Sequence, residues 1–250
     1  APTWKRRSGR RAFAPKRRAK TKAGARFYPR PPVPAPEKGE ADKVPRFFIE
    51  RLESPAVLTG EDAAHIQKSL RMREGDALTL CDGRGKEADA AIASCAPGMV
   101  TCTFSQVRPS LSEPAVRLSL FQAWPKGDKA DWIVQKATEL GVSEIRFLLT
   151  EFCVARPKPQ DMERKLARLQ KIANEAAKQC GRGVLPAVSG FLTLREAAGE
   201  MKRSETALFF YERSTSPLNG LLPAKTASLS YLVGSGGGFS VAEARLLEGA

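Results

Sequence analysis

An apolar run at residues 229–233 (LSYLV) leads directly into Gly234-Ser235-Gly236-Gly237-Gly238. Glycines placed just after a strand let backbone N–H and C=O groups approach a ligand with no side chain in the way. Val233, Gly234, Gly237 and Gly238 are therefore candidate contacts for a small cofactor. The spacing is neither G-x-G-x-x-G nor a phosphate loop ending in Gly-Lys, so a flexible turn is the competing reading. Tyr211-Glu212 follow an earlier apolar run and would stand at the carboxyl edge of a sheet, where ligands of open α/β domains gather. An aromatic packed under a loop beside a solvated carboxylate is the plainer alternative for them.

Basic and amide side chains suited to RNA fall in two groups, Arg46, His65, Lys68 and Arg71 in one, and Lys126, Lys129, Lys136, Gln179 and Arg182 in the other. Such residues supply affinity and orientation through phosphate rather than base reading; each also has a bland reading as a solvated surface charge. His65 is the single histidine, and the five cysteines (Cys81, Cys95, Cys102, Cys153, Cys180) stand singly with no CxxC pair. That pattern argues against a zinc site and against a Cys-His nucleophile, and it fits reduced thiols packed as small core residues.

These residues need elements to position them. With 250 residues and 42% hydrophobic content, the chain can bury a core. No apolar window approaches the length of a membrane span and no secretory signal opens it, so a cytoplasmic protein without a membrane partner is expected. Net charge is +14, and residues 1–31 carry twelve Lys or Arg with no acid. A polyanionic partner such as nucleic acid is implied. Residues 1–44, basic and then Pro-rich, predict a disordered tail, with a nonspecific RNA-binding arm and an organellar presequence as further readings. Residues 45–114 predict a compact β-barrel-like module with strands near 46–49, 77–81, 88–93 and 99–107. One helix over 63–72 interrupts them, with Ala63, Ile66 and Leu70 inward. Residues 115–250 alternate strand and helix, which argues for βαβ units on a parallel sheet. Its strands fall near 116–123, 144–149, 207–211 and 229–233. A helix over 128–140 turns Ala130, Ile133, Val134, Ala137 and Leu140 inward and stops at Gly141, and one over 161–180 turns Leu166, Leu169, Ile172, Ala173 and Ala176 inward and stops at Gly181.

Four stretches in order carry a more specific likeness: PRFF at 45–48 with HIQKSLRM at 65–72; KGDK at 126–129 with QKATELGV at 135–142; QCGR at 179–182; and VGSGGGFS at 233–240. Together they resemble the RsmE-type family, SPOUT-type enzymes that methylate N3 of a uridine in 16S (small-subunit) ribosomal RNA. The resemblance covers residues 45–250. It implies a PUA-like barrel followed by a trefoil-knotted α/β domain that binds S-adenosylmethionine and pairs as a homodimer. Methyl transfer to a ring nitrogen is an in-line displacement that mainly needs two reactants positioned and one proton removed. A chain without metal-ligand clusters suits it. The glycine stretch departs from the family's usual IGPEGGFS, with Ser235 in place of proline and Gly236 in place of glutamate, changes expected to loosen the turn. The family also continues past residue 250 with an arginine- and glutamate-bearing motif, so the sequence reads as C-terminally incomplete. The catalytic residue is left unassigned, with Glu139 and Arg182 as candidates. An rRNA-binding protein without activity, and an unrelated nucleotide-binding α/β protein, are the alternatives.

Overall fold

A computed structural model of the chain describes residues 44–249 apart from Ala224. The tail, with the disorder, RNA-arm and presequence readings made for it, lies outside the described residues. The described residues enclose two separate apolar cores.

The first core lies under a mixed sheet of β1 (Arg46–Phe48), β2 (Ala56–Thr59), β3 (Ala77–Cys81), β4 (Lys86–Ala96), β5 (Met99–Thr103) and β6 (Arg108–Pro109). The order is β1-β3-β4-β5-β2, with β6 on the start of β4. The terminal strands β1 and β2 do not pair with each other, so the sheet curls as a half-barrel. Alternation fixes which face is inside: in β2, Ala56 and Leu58 are buried while Val57 and Thr59 face out. They join Phe47, Leu78, Leu80, Ile92 and Val100 in the core. The helix expected over 63–72 is instead α1 (Gly60–Ala64) running into a π-helical turn, His65–Ser69. Ala63 and Ile66 are buried as the spacing requires. Leu70 is not, at 39% exposed, because the wider turn rotates the residues after it away from the core. Arg71 then takes a left-handed φ of 53° that closes the turn.

The second core lies around a five-stranded, wholly parallel sheet ordered β10-β11-β7-β8-β9. Its elements are β7 (Arg117–Ala123), α2 (Lys129–Glu139), β8 (Val142–Leu148), α3 (Pro159–Cys180), β9 (Ala187–Leu192), α4 (Leu194–Met201), β10 (Thr206–Phe210), β11 (Ser228–Val233) and α5 (Val241–Glu248). The chain steps outward from β7 through β8 to β9, crosses to β10 and fills the gap with β11. Right-handed crossovers therefore put α2 and α3 on one face and α4 and α5 on the other, and each pair packs together. On α2, Ala130, Val134 and Ala137 are buried, but Leu140, expected inward, is 77% exposed at the helix end. On α3, Pro159 occupies the first turn, Leu169, Ala173 and Ala176 are buried, and Gly181 ends the helix at a φ of 79° that a residue with a Cβ resists. No described helix is long and apolar enough to cross a membrane.

Parallel strands give the sheet two unlike edges. The carboxyl ends of all five strands share one, and β7 and β11, whose connections leave on opposite sides, form its switch point. The amino edge carries the last turns of α2 and α3 and receives the linker from the half-barrel.

Candidate active site at the carboxyl edge

The glycine loop springs from β11 at the switch point, and three neighbours shape it. From β7, the buried Gln122 donates its Nε2 to the carbonyls of Ala123 at 2.9 Å and Gly234 at 3.1 Å. From the loop after β8, the Phe152 carbonyl accepts from Ser235 Oγ at 3.1 Å. The amide of Gly238 closes the turn onto the Ser235 carbonyl at 2.9 Å. The loop after β8 is itself pinned to α5, where Glu243 accepts from the Glu151 amide at 2.7 Å and completes a capping box with Ser240.

Space decides where glycine is required. A Cβ on Gly234 would stand 3.0 Å from the Phe239 ring, and one on Gly237 3.0 Å from Phe152 Cβ. At Gly238, φ is +70° and a Cβ would stand 2.5 Å from the Glu212 carboxylate. Gly236 has open space around it. Phe239 is buried, meets Phe209 edge-on at 5.0 Å, and Phe209 stacks on Tyr211 at 5.5 Å. The structure thus brings together the six residues singled out for cofactor contact: Val233, Gly234, Gly237 and Gly238 in the loop, with Tyr211 and Glu212 beside it. Gly236 and Gly237 are exposed, and among the described residues their amides have no protein acceptor. Lys126 and Lys129, exposed where β7 leads into α2, stand on this same edge.

The remaining candidates lie elsewhere. A cleft of about 600 Å³ opens between the half-barrel and the last turns of α3, lined by Arg46, Phe47, Asp62, His65, Lys178 and Gln179 among others. His65 and Gln179 are exposed on it. Lys178 spans it to Asp62 at 3.1 Å; burial would weaken its charge, but Asp62 outweighs burial and holds its pKa above the ordinary lysine value. Arg46 is committed to the buried Glu87 at 2.6 Å. Lys68, in the π-helical turn, and Arg71, just after it, are both exposed.

Lys136 and Glu139 pair with each other at 2.7 Å in the last turn of α2. Arg182 is 3% exposed and bonded to Glu113 and to the carbonyls of Thr138 and Val142. Both catalytic candidates therefore sit at the amino edge, one strand length, roughly 20 Å, from the glycine loop of the same chain. Neither reaches a reactant held there, and the enclosed Arg182 has no face free for RNA.

A family model described as an RNA methyltransferase domain matches residues 112–250, and one described as an RNA methyltransferase PUA domain matches residues 58–102. The chain belongs to the RNA methyltransferase family. It is 31% identical over 216 residues to ribosomal RNA small subunit methyltransferase E of Bacillus subtilis, covering 81% of this chain and 84% of that one. Against the protein of the same description from Synechocystis it is 30% identical, covering 75% and 62%. A solved methyltransferase of Legionella pneumophila in complex with bound SAM superposes with a TM-score of 0.73 at 28% identity, covering 83% and 86%. The ribosomal RNA small subunit methyltransferase E of Neisseria gonorrhoeae bound to S-adenosyl methionine gives 0.72 at 26%, covering 82% and 85%. The fold is thus a PUA-like module followed by a SPOUT-type methyltransferase domain.

Within this family frame, the substitution expected to loosen the loop meets a local compensation. Ser235 supplies a side-chain tether to Phe152 that proline has no donor to make. Sequence reasoning passed over Gln122, Phe152 and Glu243, which shape the loop from other elements. Gln122 was open to detection as one polar residue inside the apolar run LFQAW.

Proposed function

We propose that this chain methylates N3 of a uridine in 16S rRNA of the small ribosomal subunit, using S-adenosylmethionine held at the glycine loop. The observation that carries the reading is the loop itself: exposed glycine amides without acceptors among the described residues, at the switch point, with the Glu212 carboxylate at its lip. This set fits the cofactor's chemistry, since amides suit its carboxylate and ring-nitrogen acceptors and a carboxylate suits its cationic centres. When bound, the cofactor supplies an electrophilic methyl group. The protein's part is to hold loop and RNA so that the uridine nitrogen faces that methyl in line, and to keep water out of the approach.

Lys126 and Lys129, on the same edge, would meet RNA phosphate near the reacting base. His65, Lys68, Arg71 and Gln179 would hold more distant RNA along the half-barrel and its cleft, with Arg46 shaping the wall. Gln179, in the last turn of α3, stands about one strand length, roughly 20 Å, from the loop, which is within the span of a folded RNA, and a homodimer would add a second cleft to each loop. A cytoplasmic place beside assembling small subunits follows from the substrate.

Titration of the chain with S-adenosylmethionine tests the reading. One site per subunit, abolished by Gly238→Val, supports it. Binding that survives this substitution unchanged, or no binding by the wild type, overturns it and leaves RNA binding without catalysis, the reading that the altered glycine stretch favours.

A further inference from the structure

Glu113 lies in the linker that joins the half-barrel to β7, and it faces the guanidinium of Arg182. Nη2 of Arg182 stands 2.6 Å from its Oε2, and Nε 3.3 Å from both carboxylate oxygens. The amides of Gly183 and Val184 donate to Oε1 at 2.9 and 3.0 Å. Nη1 turns the other way and donates to the carbonyls of Thr138 at 3.2 Å and Val142 at 2.5 Å, at the end of α2 and the start of β8. The same short stretch is stitched to the half-barrel by backbone. Leu185 donates to the Gly83 carbonyl at 3.0 Å, Gly85 to that of Gly183 at 3.2 Å, and Ser110 to that of Gly85 at 2.8 Å.

The ion pair thus ties three segments, the linker, the residues after α3 and the junction of α2 with β8, and backbone bonds from the residues it orders at 183–185 extend the tie to the half-barrel turn at 83–85. The two apolar cores are separate clusters, and an interface without a shared core permits relative motion unless polar contacts fix it. A buried guanidinium with one counter-charge is costly to leave unpaired, so the contact favours a single geometry. We propose that Glu113 and Arg182 are positioning residues: their latch fixes the half-barrel against the methyltransferase domain so that bound RNA arrives in register at the glycine loop. Neither touches cofactor or RNA. The catalytic half of this inference rests on the function proposed above; the latch itself rests on geometry.

Glu113→Gln and Arg182→Lys test it in the full chain. Each preserves bulk while breaking the multidentate match. Hydrogen exchange should quicken at residues 83–85 and 183–185 and stay unchanged in the central strands β7 and β11. With small-subunit particles as substrate, kcat should fall about tenfold to a hundredfold, as displacement by an ångström does, while the cofactor Kd and the KM for RNA each stay within about threefold. Unchanged kcat in both variants, or loss of kcat matched by loss of cofactor binding, overturns the positioning role. If the wild type neither binds cofactor nor methylates, the proposed function fails, and exchange still decides the latch: unaltered protection at 83–85 and 183–185 in both variants refutes it.

Discussion

Replacing Gly238 by alanine forces a Cβ onto a backbone with φ of +70° and puts it 2.5 Å from the Glu212 carboxylate. The left-handed conformation costs about 1–2 kcal/mol for a residue with a side chain. Glu212 is exposed and swings aside at little further cost, so the clash sets the direction of the loop's movement more than its energy. Gly236 is the control, because nothing lies within 4 Å of its Cβ position and its φ is not left-handed. If the loop relaxes to relieve the strain, its amides leave the ligand, and each 1.4 kcal/mol lost from binding is tenfold in Kd. Gly238→Ala should lower the melting temperature by about 3–6 °C and weaken S-adenosylmethionine binding about tenfold, whereas Gly236→Ala should leave the melting temperature unchanged. Calorimetric titration beside thermal unfolding reads both. Wild-type affinity in Gly238→Ala, or an equal fall in melting temperature in the two variants, would refute the reasoning.

Glu87 is buried between Arg46 and Arg108, and although burial raises its pKa, the bond from Arg46 and the surrounding charge outweigh it and hold the carboxyl below its ordinary value. Its stabilisation is therefore complete above the unfolded-state value near 4.5 and lost as pH falls through the lowered one. Glu87→Gln should destabilise by about 2–4 kcal/mol at neutral pH, with the gap to wild type closing in acid melts; a gap constant with pH would contradict this. Burial pushes the Cys81 and Cys102 thiols up to about 11, against the opposing charge of Arg46 in the first case, while Cys95 is exposed. Alkylation of the native chain at mildly alkaline pH should mark Cys95 first and leave Cys81 and Cys102 for the denatured state, as peptide mass mapping would show. If Lys68 and Arg71 meet phosphate, changing both to alanine should weaken RNA binding uniformly across sequences and lower the salt slope by about two; an unchanged slope would remove them from the interface.

The glycine loop was legible because its signal is local: five residues after an apolar run. The helices α2 and α3 were legible for the same reason, through periodicity and glycine stops. Short elements were not. β2 has four residues, and β9 is a half-buried edge strand carrying Gly190. α4 was within reach, since Thr193 and Glu196 form a capping box visible in the sequence. The places of Glu139 and Arg182 depended on topology. Only a parallel sheet with a known strand order puts the ends of α2 and α3 at the edge away from the loop. Arg182 finds its counter-charge at Glu113, 69 residues earlier, a pairing that no local pattern announces.

Transfer of labelled methyl from S-adenosylmethionine to small-subunit particles, followed by nucleoside analysis of the 16S rRNA, tests the account most directly. The account predicts one N3-methyluridine per particle, absent when Gly238 is valine. Methyl on another nucleoside, or no transfer by a chain that binds cofactor and RNA normally, would contradict it.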